Sequence, residues 1–303
     1  MSEESSKIPL VHKSVLIHEV LTYLEPKPGG TYLDVTFGSG GHTKAILQRE
    51  PACNVIAFDW DKVSLETHGP PLLEQFPGRL RLVWGNFAHL YKLLKKENIA
   101  PVDGILADFG TSQMQIFERP GFSLYRDTAL DMRMSPSHQK LTAYEVIQQA
   151  PQETLSEIFW EFGEERYANR IARCIVEERV KRPIQTTTDL AKLVARAMPG
   201  GVKKGYIHPA TKVFQALRIY VNKELDNISA FMPVAFNGLK PGGNLVCISF
   251  HSLEDRLVKQ YFRDKEREDV AQILTPRVVV ASTEEQELNK ASRSARLRAL
   301  RKI

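Results

Sequence analysis

The stretch LDVTFGSGGHTKAIL, residues 33–47, ends a short apolar run in a carboxylate, Asp34. A glycine turn follows, with Gly38, Gly40 and Gly41, and then His42 at the start of a helical pattern. A second apolar run, NVIAFDWD, carries Asp59 at its end, and GNF at 85–87 follows a third. An acid at the end of the second strand of such a series accepts hydrogen bonds from ribose hydroxyls, while a glycine turn lets backbone approach a ligand. Phe87 adds a surface for an adenine edge. These types in this order describe an adenosine-containing ligand lying across strand ends.

Two such ligands compete. A dinucleotide requires G-x-G-x-x-G with a helix N-terminus on the pyrophosphate. The loop here is G-S-G-G-H, in another register, and Asp34 would face the pyrophosphate. A carboxylate suits the cationic amino end, or the sulfonium neighbourhood, of S-adenosylmethionine, because opposite charges attract. S-adenosylmethionine is the expected cofactor.

Three further segments carry candidate chemistry. ILADFGTSQMQIF, 105–117, puts Asp108 at the end of a fourth apolar run, with Gly110, Ser112 and Gln115 after it. SFHSLEDR, 249–256, places His251 just past a fifth run. In HPATKVFQALRIYVNKEL, Thr211, Gln215, Arg218 and Asn222 share one helix face, a stripe suited to bases and phosphates. For the amine methylation that the family resemblance given below implies, Asp108 is the first candidate for polarising a substrate N–H, with His251 and Asn222 as candidates for holding a base or relaying its proton. Each also has a plain structural reading: a turn cap, a backbone-satisfied histidine, a surface stripe. GFSLYRDTALDMRMS, 121–135, with Arg126 and Arg133, reads as a lid or a packed linker. No H-x-x-x-H-like cluster appears, so no metal is expected. Neither Cys53 nor Cys247 is placed for covalent attack on a base.

The elements that must position these groups alternate. TYLDV, NVIAF, RLVW and VDGILA are short strands separated by helical patterns, as in a mostly parallel sheet. The next strand, NLVCISF at 244–250, comes after an interval far longer than one crossover needs. That interval reads as an inserted helical domain. Thr142 and Glu145 form a capping box, Pro151 opens a second helix, ERYANRIARCIVEER is amphipathic, and Thr186 and Asp189 cap another helix. Pro199, Gly200 and Gly201 form a hinge, and one long helix runs from about 210 to 232. RVVVAS, 277–282, and RLRAL, 296–300, close the sheet. The expected fold is α/β, a Rossmann-like, seven-stranded mixed sheet with an inserted helical domain. The expected parts are 1–118 and 206–303 for the sheet domain and 119–205 for the insert.

Composition is that of a soluble globular protein, with 43% hydrophobic and 25% charged residues and a formal charge of +5. The basic excess concentrates in the last eleven residues, RSARLRALRKI, which suit either a polyanion or solvent. Three cysteines without paired spacing read as reduced thiols of a cytoplasmic protein. No apolar run approaches membrane-spanning length, so no membrane association is expected.

Together TFGSGGH, GFSLYRDTALDMRM, FGEERYANRIARCIV, HPATKVFQALRIYVNKEL and PGGNLVCISFHSLEDRLVK resemble the RsmH family, also called MraW, of small-subunit ribosomal RNA N4-cytidine methyltransferases. The resemblance spans essentially the whole chain. It implies a class I methyltransferase fold and cofactor contacts from Gly40, Gly41, His42, Asp59, Phe87, Asp108 and Gln115. It also implies methylation of the exocyclic N4 of a cytidine in the decoding region of 16S ribosomal RNA, within the bacterial small subunit. Ser39, Trp60 and DFGTSQMQ depart from the usual pattern, and the segment before the tail is shorter. DNA is not an expected partner, since an Asn/Asp-Pro-Pro-Tyr-like stretch is lacking. A homodimer is compatible with the sequence. A nucleotide-dependent oxidoreductase and a non-enzymatic RNA-binding assembly protein stand as the other readings.

Overall fold

The computed structural model describes residues 14–110, 119–199 and 208–303. Its centre is a seven-stranded sheet in the order β3-β2-β1-β4-β5-β7-β6. The strands are β1 (Thr31–Asp34), β2 (Asn54–Asp59), β3 (Leu80–Trp84), β4 (Val102–Asp108), β5 (Leu239–Ser249), β6 (Ala271–Ile273) and β7 (Arg296–Lys302). The first five are parallel, and β7 runs antiparallel to both β5 and β6. Chain order reverses between β1 and β4, the topological switch point at which open α/β sheets bind ligands.

Strand apolarity follows from burial on both faces. One face is covered by helices α1 (Ile17–Leu24), α2 (Gly41–Arg49) and α3 (Lys62–Gln75), through Val20, Leu24, Ile46, Leu47, Leu65 and Leu72. The other is covered by α4 (Leu90–Lys96), α10 (Glu224–Gly238) and α11 (Ser252–Arg267), through Leu90, Ile228, Phe231, Met232, Val258 and Phe262.

The third core is helical. It is built by α5 (Ala143–Gln149), α6 (Gln152–Glu161), α7 (Ala168–Lys181), α8 (Thr187–Ala197) and α9 (Thr211–Asn222). The Thr142–Glu145 capping box forms in both directions, and Thr186 accepts a hydrogen bond from the Asp189 amide. Val213, Phe214, Ala216, Leu217 and Val221 of α9, beyond the expected boundary at 205, also pack in this helical core.

Lys223 corrects the single helix expected over 210–232. Its left-handed backbone, φ 51°, ends α9 and starts α10. The Asn227 side chain donates to the Asn222 carbonyl and secures the break. Two more differences lie near the end. RVVVAS contributes only the bridge between Val279 and Leu297, while AQI supplies β6. The basic tail is the inner strand β7. Arg298 pairs with both oxygens of Asp255, at 2.6 and 3.0 Å, and Arg301 binds Asn244 Oδ1 and Glu25. Those two arginines are therefore structural. The Gly200–Gly201 part of the expected hinge, Ser112 and Gln115 lie outside the described residues.

Candidate active site

The glycine loop is assembled from below by Asp34. This carboxylate is fully buried and accepts from the Thr36 amide (3.1 Å) and from Thr43 Oγ1 on α2 (2.7 Å). Burial raises its pKa, against the opposing effects of His42 and these hydrogen bonds. Asp34 thus pins the loop to the helix and does not line the cavity, contrary to its expected place beside a ligand's amino end. Gly40 precedes α2 with φ 78°, and a Cβ there would collide with Leu72 Cδ1 and the Phe37 ring. At Gly41 a Cβ would strike Ser14 Oγ. Both glycines make close packing possible without lining the cavity.

Above the loop lies a cavity at the switch point, lined by Gly38, His42, Asp59, Phe87 and Asp108 among others. Asp59 accepts from the Gly38 amide (2.7 Å) and the Asp61 amide (2.8 Å). Burial nonetheless pushes its pKa up to about 7. Phe87 opens a 3-10 turn capped by Asn86, and its ring packs against Phe109 and Phe231. His42 Nε2 lies 2.8 Å from the Val15 carbonyl, which requires the proton on that nitrogen and turns Nδ1 toward Asp108 Oδ2 at 3.7 Å.

Asp108 is placed by its own backbone, whose amide donates to Thr36 Oγ1 at 2.7 Å across the switch point. Its Oδ1 is buried with no hydrogen-bond partner among the described residues. Burial raises its pKa to about 7; His42 opposes this, and Asp34 and Glu254 add to it. An unpartnered buried acceptor is costly unless a ligand supplies the donor.

A second cavity of about 310 Å³ adjoins the first and shares Gly110, Phe250 and Ala291 with it. Thr211, Gln215 and Arg218 line it, together with Phe122, Leu124 and His251. Three residues of the expected stripe therefore meet there. Asn222 does not. It is fully buried, accepts from the Met134 amide, and donates to the Met132 and Arg218 carbonyls. With its amide committed to that strap, Asn222 lines neither cavity.

The wall between the cavities is one ion network. Arg218 grips Glu224 with two 2.9 Å hydrogen bonds. His251 Nε2 lies 3.3 Å from Glu254 Oε1 and 4.0 Å from Glu224 Oε2. Burial alone would lower the His251 pKa, but the two carboxylates outweigh it and raise it to about 9. His251 Nδ1 and Glu254 also close a capping box at the start of α11. His251 Nδ1 accepts from the Glu254 amide as the helix cap, so the ring proton sits on Nε2, facing the Glu254 and Glu224 carboxylates. Glu224, His251 and Glu254 bring ligand-type atoms within 4.8 Å of one another, yet both Glu224 oxygens are taken by the Arg218 guanidinium.

Sequence reasoning did not single out Ser14, Met134 or Glu224, all of which line the first cavity. Met134 lies in the GFSLYRDTALDMRMS strap, whose mixture of aromatics and arginines was its signal. The strap is held by Arg119, which pairs with Asp61 and donates to the Met134 carbonyl, and by Ser135, which donates to the Trp60 carbonyl. Arg133 is occupied by Asp131, so it holds no free charge toward a ligand.

A parallel sheet reversed between β1 and β4, closed by an antiparallel β7, with acids at the ends of β2 and β4, defines a class I S-adenosylmethionine-dependent methyltransferase. Residues 9–303 match the MraW methylase family, and the chain belongs to it. The Ribosomal RNA small subunit methyltransferase H of Thermomicrobium roseum is 45% identical over 312 residues, covering 96% of this chain and 94% of that protein. The protein of the same name from a Synechococcus species is 46% identical over 296 residues, covering 95% and 93%. Among solved structures, NSun6 from Pyrococcus horikoshii is similar over 98% of this chain and 56% of that one, at 14% identity and TM-score 0.48. Among the described residues, no helix is long and apolar enough to cross a membrane.

Proposed function

We propose that this chain methylates the exocyclic N4 of a cytidine in the decoding region of 16S ribosomal RNA, within the small ribosomal subunit of the bacterial cytoplasm. The relatives' shared name supports ribosomal RNA as substrate. The observation that carries the reading is the pair of adjoining cavities, with Asp108 and its unpartnered Oδ1 on one and the Thr211–Gln215–Arg218 face on the other.

The donor set fits the cofactor. Asp59 keeps acceptor capacity beyond its two backbone partners for ribose hydroxyls, Phe87 offers an apolar ring, and Gly38 brings backbone close. Bound there, S-adenosylmethionine supplies a methyl group made electrophilic by its sulfonium. The target base enters the second cavity after leaving its stack, against Phe250 and the Phe122 and Leu124 side chains. Asp108 Oδ1 accepts an N4 hydrogen, drawing lone-pair density back onto a nitrogen that the ring otherwise delocalises. With a pKa near 7, Asp108 is ionised often enough at neutral pH to accept, and basic enough to hold the proton afterwards. Arg218 and His251 line the base's side of the wall, each held there by its carboxylate partner, Glu224 or Glu254.

A covalent route to carbon 5 is disfavoured by the thiols. Cys247 and Cys53 are buried, and burial raises the pKa of each. Cys174 packs against the helical core.

The test supplies methyl-labelled S-adenosylmethionine with unmodified small subunits and, separately, naked 16S RNA. Nucleosides are then resolved by mass spectrometry. Label on N4 of one decoding-region cytidine is expected; label on any other atom, or none, overturns the proposal.

A further inference from the structure

The helical insert carries a second charged feature, away from both cavities. A surface groove of about 440 Å³ is lined by Arg166, Tyr167, Asn169, Arg170 and Arg173, with Gln152 from α6 at its edge. Arg166 and Arg170 are exposed and have no ionic or hydrogen-bonded partner among the described residues. Arg173 makes only a loose 3.8 Å contact with Glu177, with both side chains 61% exposed. No acidic residue lies in the first turn of α7 to neutralise them. Tyr167 is 41% exposed, and Trp160, on the neighbouring α6, is 61% exposed.

The groove is joined to the second cavity by one short loop. Gln215, which lines that cavity, donates to the Phe162 carbonyl. Lys212 donates to the Glu164 carbonyl, and the Glu164 carboxylate accepts from Ser252 and Arg256 at the start of α11. Gly163 has no room for a Cβ, which would press on the Lys212 and Phe159 carbonyls. The two ends of the path are therefore fixed relative to each other, with the arginines one loop beyond the cavity mouth.

We propose that this groove binds the sugar–phosphate backbone of the RNA strand flanking the target nucleotide, with a neighbouring base stacked on Tyr167. This rests on the RNA-methylating reading given above. Guanidinium forks match phosphate oxygens, and exposed aromatic rings accept unstacked bases. Gln152 donates to Asn169 Oδ1, which ties the α6 side of the groove to α7 and leaves the Asn169 amide nitrogen to donate. An acidic protein surface would use the arginines but leave the ring without a role. Nothing here reads sequence strongly, so the groove adds affinity and direction, and the cavity chooses the base.

The test compares the full-length wild-type protein with an Arg166→Gln/Arg170→Gln/Arg173→Gln variant and with Arg182→Gln, a control at the far end of the same helix. Binding to unmodified 16S RNA and to small subunits is measured across a salt series, with S-adenosylmethionine binding as the check on folding. The triple variant is expected to bind naked RNA on the order of tenfold more weakly at low salt, with a log–log salt slope shallower by roughly 2. Arg182→Gln and cofactor binding are expected to stay at wild-type values. Unchanged RNA affinity and slope in the triple variant overturn the proposal. A loss confined to protein-containing subunits, with naked RNA unaffected, overturns it in favour of an acidic protein partner. If the wild type binds RNA through these arginines yet transfers no methyl group, the groove stands and the methylation reading falls.

Discussion

The two sides of the wall between the cavities hold charge in opposite ways. On the cofactor side, Asp59 and Asp108 are buried acids without a cationic hydrogen-bonding partner, and burial raises both to about 7. Across the wall, Arg218, Glu224, His251 and Glu254 neutralise one another, and the Glu224 pKa is held down by Arg218 despite its burial. The first region is left incomplete, with no cation bonded to its acids; the second is complete in its ion pairs, although His251 Nε2 and Glu254 Oε1 make no hydrogen bond there. Buried charge by itself therefore does not mark a site; buried charge lacking its partner does.

Breaking the complete side has the largest expected effect. Arg218→Met leaves Glu224 buried and uncompensated, and unfolding in urea should show a loss of about 3–5 kcal/mol. A second change, Glu224→Gln, should recover much of it. Breaking the incomplete side affects turnover and not stability. Asp108→Asn should lower methyl transfer about a hundredfold or more, measured as kcat/KM on small subunits, while the protein stays folded and melts no lower than wild type. Gly40→Ala tests the scaffold under that side. It forces a side chain into left-handed backbone beside Phe37 and Leu72, and should cost about 1–3 kcal/mol in thermal or urea unfolding.

The smallest effect sharpens the contrast through pH. Asp59 and Asp108 are raised above the ordinary carboxylate value, so each favours the folded state fully below about pH 4 and loses that contribution as pH rises through about 7. The unliganded Asp108→Asn protein should therefore melt slightly above wild type at pH 8, and the gap should close by pH 5. In the wild type, kcat/KM should rise between pH 6 and 8 with an apparent pKa near 7. A flat profile would remove Asp108 from proton transfer.

Much of the incomplete side was legible in the sequence. The runs ending in Asp34, Asp59 and Asp108 are strands because both their faces are covered, and the turn between Gly38 and Gly41 needs residues without a Cβ. What the pattern did not carry was depth. Asp34 and Asp59 look alike as strand-end acids, but Thr43, in the first turn of α2, draws Asp34 beneath the loop. Asn222 shares a face with Arg218, but its amide is taken by a strap almost ninety residues away in sequence. The complete side was less legible. Glu224 follows a break at Lys223 that no glycine or proline announces, so nothing in the residue pattern marks where the helix stops. The tail arginines read as a polyanion surface because their partners, Asp255 and Glu25, come from distant elements.

The position of β7 sets an order of events during synthesis. Arg296–Lys302 fill the gap between β5 and β6, and Arg298 holds Asp255, the neighbour of Glu254 on α11. Since domains fold as units from the N-terminus as the chain emerges, β1 to β4 and the glycine loop can pair early. The wall between the cavities cannot be set until Arg296–Lys302 have joined the sheet. A nascent chain stalled before Arg296 holds the outline of a cofactor cleft without its far side.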